Sequence, residues 1–337
     1  MCLRVYADGV DAVAGLLNGP RAQGAFLLRS SMTAPWSLRI QDEAPLTLVA
    51  IVEGDAWVLP ARGRPVELHA GDVAILRGPD PYTFADDPGT PPQAVIHPGQ
   101  RCTTPDGEPL TDLGTLGVRT WGNNPDGATV LVTGTYQELS EICRPLLDSL
   151  APLVVLESQV WRTPLVALLA EEIVKDEPGQ AAVLDRLLDL LLIAALRTWF
   201  ARPEAEAPAW YQAHSDRVVG LALRLLQDDP AHPWTVAELA GAANISRAAL
   251  ARRFTDLVGV PPMAYLAAWR LALAADLLRE PDATVGAVAK RVGYGSSFAL
   301  SAAFKRVRGV SPREHRARVA AAPAPVVATN PWRRLPA

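Results

Sequence analysis

The chain has 337 residues, of which 49% are apolar and 20% charged, with 30 Pro and 24 Gly. This composition is typical of a folded globular protein of two or three domains, and it excludes fibrous and disordered classes. No apolar run in the sequence approaches the roughly 20 residues of a membrane helix. Three cysteines are too few for a disulfide framework, so we expect a cytoplasmic protein that does not associate with membranes.

The charge is unevenly distributed along the chain. Residues 1–214 hold 15 basic and 27 acidic side chains, a net charge of −12, whereas residues 215–320 hold 15 basic and 9 acidic ones, a net charge of +6. A basic module beside an acidic body is typical of a protein that attracts phosphate at one end. A local excess of charge can also be a solvated surface, so charge alone does not establish nucleic-acid binding.

The first 140 residues contain short apolar runs that are separated by turn residues. Leu46–Val52 precedes a Glu-Gly-Asp turn, and Val73–Leu76 follows Gly71-Asp72. Runs of this length and spacing predict an antiparallel sandwich or barrel.

Beyond Ser140 the apolar residues recur with the period of helices, at 164–174 and 181–200. The second of these segments is apolar over much more than the roughly 100° stripe that a surface helix buries. Two explanations stay open: a helix buried in the core of its own subunit, or a helix that also buries a face on a second copy of the chain. A polar, Pro-bounded linker follows at 203–208.

Residues 235–262 and 284–312 form an internal repeat. Thr235-Val236 matches Thr284-Val285 at an offset of 49, and the later matches have an offset of 50. These later pairs are Leu250 with Leu300, Phe254 with Phe304, Gly259 with Gly309, Val260 with Val310 and Pro262 with Pro312. Self-similarity of this kind predicts two copies of one supersecondary unit.

Each copy has the sequence signals of a helix, a tight turn and a second helix. Thr235 and Thr284 are predicted to cap the first helices, and Ser246 and Ser296 the second helices. Asn244 and Gly293 are predicted to adopt the left-handed conformation of the turns, and Gly259 and Gly309 are predicted to end the second helices. The segment between the copies, about 263–279, predicts a helix of about 25 Å. A rod of this length is suited to placing two second helices in successive major grooves of DNA, about 34 Å apart.

This arrangement resembles the AraC/XylS family of transcription regulators. The resemblance covers residues 215–318 and rests on Thr235-Val-Ala-Glu-Leu-Ala, Arg253-Phe254, Val292-Gly-Tyr-Gly-Ser296, Phe304-Lys-Arg and Gly309-Val-Ser-Pro312. The N-terminal part resembles the cupin-type sensor domain of one branch of that family, through Pro35-Trp36, Glu53–Trp57, Gly71-Asp72-Val73, Arg186-Leu187, Leu196-Arg197 and Asp229–Trp234.

The resemblance implies an α+β protein that is not an enzyme. The expected parts are a cupin-like β-barrel that senses an effector (1–140), a helical dimerisation segment (141–201), a linker (202–214), an all-α domain with two helix-turn-helix motifs (215–318) and a disordered tail (319–337). The expected partners are promoter DNA, a small effector, a second copy of the chain and, for an activator, RNA polymerase. No cofactor is expected.

The resemblance also places the DNA-contacting residues. Base-reading positions fall on Arg247, Ala248, Ala251 and Arg252 in the first copy and on Ser297, Phe298, Ser301 and Ala302 in the second, behind the caps Ser246 and Ser296. Phosphate contacts are expected from Arg253, Lys290, Lys305 and Arg306. Since Ala302 stands where many relatives have Arg, we expect hydrogen-bonded reading to rest on Arg247 and Arg252, and the second copy to read shape or methyl groups.

The sensor region suggests a binding function more than a catalytic one. The His-x-His…Glu set of cupin enzymes is missing, and His69 and His97 are isolated in the sequence. A metalloenzyme with an accessory DNA-binding domain therefore remains only as an alternative. Candidate effector contacts are Trp36, Arg39, Trp57, Tyr82 and Phe84.

The thiols suggest a further alternative, a redox- or electrophile-responsive regulator. Cys102 follows Arg101 and Cys143 precedes Arg144. A neighbouring guanidinium lowers the pKa of a thiol, which favours the reactive thiolate where the group is exposed. Inert thiols are the competing explanation.

Overall fold

The structure is a computed structural model that describes residues 25–321, except 138, 139, 143, 203, 204, 206, 207 and 281. The described residues divide into two compact units. The first contains 25–137, 150–202 and 205, and the second contains 140–149, without 143, and 208–321. Among the described residues no single helix is long and apolar enough to cross a membrane, although the helices Arg247–Val258 and Pro262–Leu277 reach that length and composition together, as a pair bent by 54°.

The first unit is built on two β-sheets. The larger sheet has the order β10 (Gly114–Gly117), β11 (Thr120–Gly122), β1 (Phe26–Met32), β12 (Thr129–Tyr136), β3 (Leu46–Glu53), β6 (Val73–Arg77) and β13 (Leu153–Leu156). The smaller sheet has the order β5 (Val66–His69), β4 (Asp55–Pro60), β7 (Tyr82–Ala85), β2 (Ser37–Ile40), β8 (Ala94–His97) and β9 (Arg101–Thr103). The pairs β1–β11 and β2–β8 are parallel, and the other pairs are antiparallel.

The two sheets enclose a filled core. Val49 and Ile51 of β3 contribute to this core together with Leu38 of β2 and Val58 of β4. Because side chains alternate along a strand, Leu46, Leu48 and Ala50 point to the other face of the larger sheet, and they too are buried. The larger sheet is therefore covered on both faces, which explains why β3 is an almost unbroken apolar run.

Helices α2 (Leu165–Ile173) and α3 (Gln180–Phe200) pack on each other and on the larger sheet. The buried face of α3 includes Leu184, Leu188, Leu191 and Leu192. The sequence left open a core helix or a dimer helix, and the structure shows that most of the apolar surface of α3 packs within its own unit. Val183 and Leu190 stay exposed, at 45% and 51%.

The segment 141–201, predicted to be helical, also contains the strand β13. The run Leu-Val-Val-Leu at 153–156 is apolar and partly β-branched, and it pairs with β6 in register Val154↔Ile75. Residues 140–149, with the short helix α1 (Arg144–Asp148), belong instead to the second unit. Much of the predicted linker at 203–208 and the tail beyond 321 lie outside the described residues.

The second unit is helical. Its helices are α4 (Ala209–Ala213), α5 (Val219–Asp228), α6 (Val236–Ala242), α7 (Arg247–Val258), α8 (Pro262–Leu277), α9 (Val285–Arg291), α10 (Ser297–Arg308) and α11 (Pro312–Ala321), in addition to α1. The two predicted helix-turn-helix copies are α6–α7 and α9–α10. Leu250 and Phe254 centre one hydrophobic core, and Leu300 and Phe304 centre another.

A close approach in the first unit gives a stability prediction. At Gly134 of β12, an added Cβ would collide with Leu188 Cδ1 and Cδ2 of α3. We therefore expect Gly134→Ala to lower the free energy of unfolding of the first unit by about 1–3 kcal/mol, the usual cost of overpacking. Urea denaturation followed by circular dichroism measures this change.

Gly114→Ala is the matched control, because Gly114 lies in β10 of the same sheet and an added Cβ there would meet no atom within 4 Å. Equal stability of the two variants would show that α3 does not pack this closely on β12.

Candidate nucleic-acid interface

The predicted caps of both helix-turn-helix copies are present. Thr235 accepts from the backbone N–H of Glu238, whose carboxylate accepts in return from Thr235 N, so the two form a capping box. Ser246 Oγ and Ser296 Oγ accept from Ala249 N and Ala299 N at 3.2 and 3.1 Å. These bonds fix where α7 and α10 begin, and therefore which residues occupy their first turns.

The predicted turns are also confirmed. Asn244 and Gly293 have φ of 53° and 79°, the left-handed conformation that lets the second helix turn away from the first. Gly293 is also tightly enclosed, since an added Cβ would lie 2.8 Å from both Ala231 O and Arg270 Nη2. The turn of the second copy thus packs against the loop that precedes the first copy.

Arg270 of α8 holds this junction. Its Nε donates to Pro230 O at 2.6 Å and its Nη2 donates to His232 O at 2.8 Å, while burial lowers its pKa. Arg270 is the one basic residue of a largely apolar helix, and this was a sequence signal for its role. The arginine joins the loop before α6 to the helix that links the two copies.

Helix α7, the predicted reading helix of the first copy, presents both predicted arginines to solvent. Arg247, Ala248 and Arg252 are exposed and Ala251 is half-buried. Neither Arg247 nor Arg252 forms an ion pair with any described residue, so both guanidinium groups are available to base edges or phosphates.

Arg253 is differently placed. Its guanidinium Nη2 lies 2.6 Å from Asp216 Oδ2, and its Nε donates to both carboxylate oxygens. Asp216 Oδ1 in turn accepts from the N–H groups of Val218 and Val219 at the start of α5. The expected phosphate contact of Arg253 is therefore in competition with a pairing that ties α7 to α5.

Helix α10, the predicted reading helix of the second copy, presents a different surface. Ser297, Phe298, Ala302 and the two cations Lys305 and Arg306 are exposed. Ser301 is half-buried, and Lys290 lies exposed at the end of α9. None of these three cations pairs with a carboxylate among the residues described.

The segment 140–142 packs on the second copy. Asp276 of α8 accepts from Glu141 N at 2.7 Å and from Ile142 N at 3.4 Å, and burial raises the pKa of Asp276 to about 6. The Glu141 carboxylate pairs with Arg308 at the end of α10, at 3.0 Å. Arg308 is therefore engaged within the unit. These contacts join residues far apart in the chain, so no local sequence signal indicates them.

The residues expected to contact an effector are not brought together. Trp36 and Phe84 are buried in the core between the sheets, and Tyr82 packs against that core. Trp57 and Arg39 lie on the opposite face of the smaller sheet, since the strand neighbours of both point into the core. The four aromatic side chains therefore do not line one pocket, and Arg39 does not face the three of them that pack in the core.

Arg39 instead borders a groove of about 560 Å³ outside the sandwich. The groove is lined by Arg39, Gln41, Pro91, Pro92, Val95, His97, Thr103, Pro105 and Gly107. His97 is held in place, with Nδ1 3.3 Å from Gln41 Nε2 and Nε2 2.9 Å from Thr103 Oγ1. The groove therefore combines a cation, polar side chains and proline rings.

Cys102 does not have the features of a reactive thiol. It is half-buried, its Sγ lies 3.6 Å from Gln100 O, and burial raises the pKa of the thiol. Burial therefore acts opposite to the lowering of the thiol pKa that Arg101 suggested, which favours the inert thiol of the two explanations. Cys143 lies outside the described residues. No group of three or more His, Cys, Asp or Glu side chains in the described part of the chain could hold a metal ion.

Comparison with known proteins assigns the chain to a family. Residues 11–201 match a family described as cupin, and residues 239–318 match a helix-turn-helix domain. An AraC-like transcription regulator of Streptomyces antibioticus is 34% identical over 86% of this chain and 93% of its own length. The chain belongs to the AraC family of transcription regulators.

Other similar proteins agree with this assignment in name. An HTH-type transcriptional regulator of Haemophilus influenzae is 33% identical over 91% of this chain and 98% of its own length. The DNA-binding domain of AdpA, solved in complex with a target DNA, is 35% identical over 31% of this chain and 93% of that domain, with a TM-score of 0.29. The two family matches and the Streptomyces antibioticus relative show that this AraC-family protein is a DNA-binding transcription regulator with an N-terminal cupin domain.

The Arg253–Asp216 pair gives a pH-dependent prediction. The Arg253 guanidinium holds the pKa of Asp216 below its usual value. The charged carboxylate therefore stabilises the fold above its ordinary pKa of about 3.9, and this contribution is lost as the pH falls through the lowered value. We expect Asp216→Asn to cause a small decrease in the denaturation midpoint at pH 7, and the difference from wild type to shrink below about pH 4.

The two adjacent arginines supply the control. Arg253→Ala should reproduce the decrease at pH 7, whereas Arg252→Ala should leave the midpoint unchanged. Equal midpoints for wild type and Arg253→Ala would show that the pair does not contribute to stability.

Proposed function

We propose that the two reading helices bind successive major grooves of one operator and that α7 supplies most of the hydrogen-bonded base recognition. The observation that supports this most directly is that Arg247 and Arg252, on the first turns of a capped second helix, are exposed and form no ion pair with a residue that the structure describes. In a helix-turn-helix, the N-terminal residues of this helix meet base edges. A bidentate Arg–guanine pair discriminates against other bases by about 1–3 kcal/mol.

The remaining DNA-contacting residues follow from position. We propose three exposed cations as phosphate contacts: Lys290, which precedes the first turn of α10, and Lys305 and Arg306, which follow it. Ser246 and Ser296 hold the helix starts, and their N–H groups are near the DNA backbone in this arrangement. Ala248 and Ala251 offer only apolar contact. We propose that Arg253 acts mainly in stabilising the fold, through its ion pair with Asp216.

We propose that the cupin unit senses a small effector and is not catalytic. The core between the sheets is filled by side chains such as Trp36 and Phe84, so the groove at Arg39 and His97 is the better candidate for an effector site. The relatives named above are regulators, which supports a sensing role. Activation through RNA polymerase and a cytoplasmic location are proposed on the same ground.

We also propose a homodimer through α3. Val183, Leu187, Leu190 and Ala194 recur at spacings of four, three and four residues, and each is exposed or half-buried. This spacing produces one stripe along a helix, of the kind that packs on a second helix.

The matched pair Arg252 and Lys305 tests the DNA-reading proposal. We expect Arg252→Ala to relax the preference at one or two base pairs in a binding-site selection with the full chain. Lys305 lies nine residues after the cap Ser296, more than two turns from the end that meets the bases. Lys305→Ala should therefore weaken all sequences alike and reduce the slope of log affinity against log salt by about one. An unchanged preference for Arg252→Ala would contradict the placement of α7.

A charge placed in the exposed apolar stripe of α3 tests the proposed dimer. Leu188 and Leu192 are fully buried in their own unit, so acidic substitutions there would unfold the protein. Leu190→Glu should instead convert a dimer into a folded monomer in light scattering at micromolar concentration. Ala182→Glu is the control, because it adds the same charge to an exposed position about 100° from the stripe. A wild-type chain that is monomeric at this concentration would refute the proposal.

A further inference from the structure

The two copies of the helix-turn-helix differ most where they would meet DNA. With the offset of 50, Arg247 of α7 corresponds to Ser297 of α10, and Arg252 corresponds to Ala302. Ala248 corresponds to Phe298. The first helix therefore has two cations and a small apolar residue on its reading surface, whereas the second has a large aromatic ring and no cation in its first two turns.

Phe298 is unusually exposed for its type. Its exposed fraction is 82%, the highest among the large apolar side chains of the described residues. The packing of α10 does not require this ring, since the core of the second copy is completed by Leu300, Ala303 and Phe304. A single exposed apolar residue is common on protein surfaces, so its meaning depends on its place in the helix.

That place is the second residue of α10, two positions after the cap Ser296. In a helix-turn-helix the residues at this end approach the base edges in the major groove. The thymine C5-methyl is the apolar group that the bases present there, and phenylalanine is among the side chains that contact it. Cations at Lys290 and Lys305, one before and one after this turn, are placed to hold the neighbouring phosphates.

We propose that Phe298 is a specificity-determining residue that recognises thymine through its C5-methyl group. Together with Arg252, it makes the two halves of the operator chemically different: a guanine-containing half under α7 and a thymine-dependent half under α10. This inference rests on the proposed binding of both helices to one operator.

Replacing thymine by uracil tests the contact, because this change removes the methyl group and leaves the base pairing intact. The full chain is used with an operator recovered by binding-site selection, and each dT in the half-site that Arg252→Ala does not affect is replaced by dU in turn. We expect one or two replacements to weaken wild-type binding about fourfold, the effect of removing one buried methyl group.

The variant Phe298→Ala should bind the thymine operator more weakly than wild type and should lose its sensitivity to dU, whereas Phe298→Leu should retain part of it. The salt dependence should be unchanged for both variants, because no phosphate contact is removed. Val307→Ala is the matched control: Val307 is 61% exposed on the same helix but lies near its far end, so this variant should bind like wild type.

Two results would overturn the inference. One is a wild-type chain that binds its operator with no loss at any dU position. The other is an equal dU effect in wild type and Phe298→Ala. In both cases specific binding persists and the proposed function stands. A wild-type chain that selects no sequence would overturn both proposals.

Discussion

The DNA-binding unit depends on one helix that is shared by two hydrophobic cores. At its N-terminal end, Leu266 of α8 packs with the core of the first helix-turn-helix, and from Leu271 onward the same helix packs with the core of the second. Sixteen residues give this helix a length of about 24 Å. Arg270, at the junction, donates to the carbonyls of the loop before α6. Because a packed helix does not bend easily, the separation of α7 and α10 is set within the unit before DNA is bound.

The cupin unit is subject to a different constraint, because its larger sheet is buried on both faces. One face meets the second sheet across a filled core, and the other meets α2 and α3, where Gly134 leaves room for Leu188. A ligand can enter such a sandwich only by displacing side chains from a close-packed interior, which is costly. This constraint supports the proposed effector site on an outer surface, at the groove beside His97, and it leaves the exposed apolar stripe of α3 for the proposed dimer.

Local sequence signals were enough to predict the DNA-binding unit. The arrangement of the candidate effector contacts instead depends on contacts between residues far apart in the chain. The caps Ser246 and Ser296 and the turn at Asn244 were predictable because each acts on residues within one turn of itself. It is harder to tell from sequence which side chains of a strand point to which face when both faces of a sheet are apolar. Trp36 and Trp57 could therefore not be assigned to opposite faces from sequence. The pair Arg253–Asp216 spans 37 residues, a separation at which no sequence signal links two charges.

The structure also changes what the net charge of +6 means. Several arginines that contribute to it are used to hold the unit together: Arg253 and Arg308 pair with carboxylates, and Arg270 and Arg316 donate to backbone carbonyls. The cations left for phosphate are a smaller set, which includes Arg247 and Arg252 of α7 as well as Lys290, Lys305 and Arg306 beside α10. Since each neutralised phosphate adds about 0.9 to the slope of log affinity against log salt, the salt dependence is governed by this smaller set. In the proposed arrangement, affinity that phosphate contacts do not supply comes from base contacts, and the side chains on α7 and α10 then decide where on DNA the protein binds.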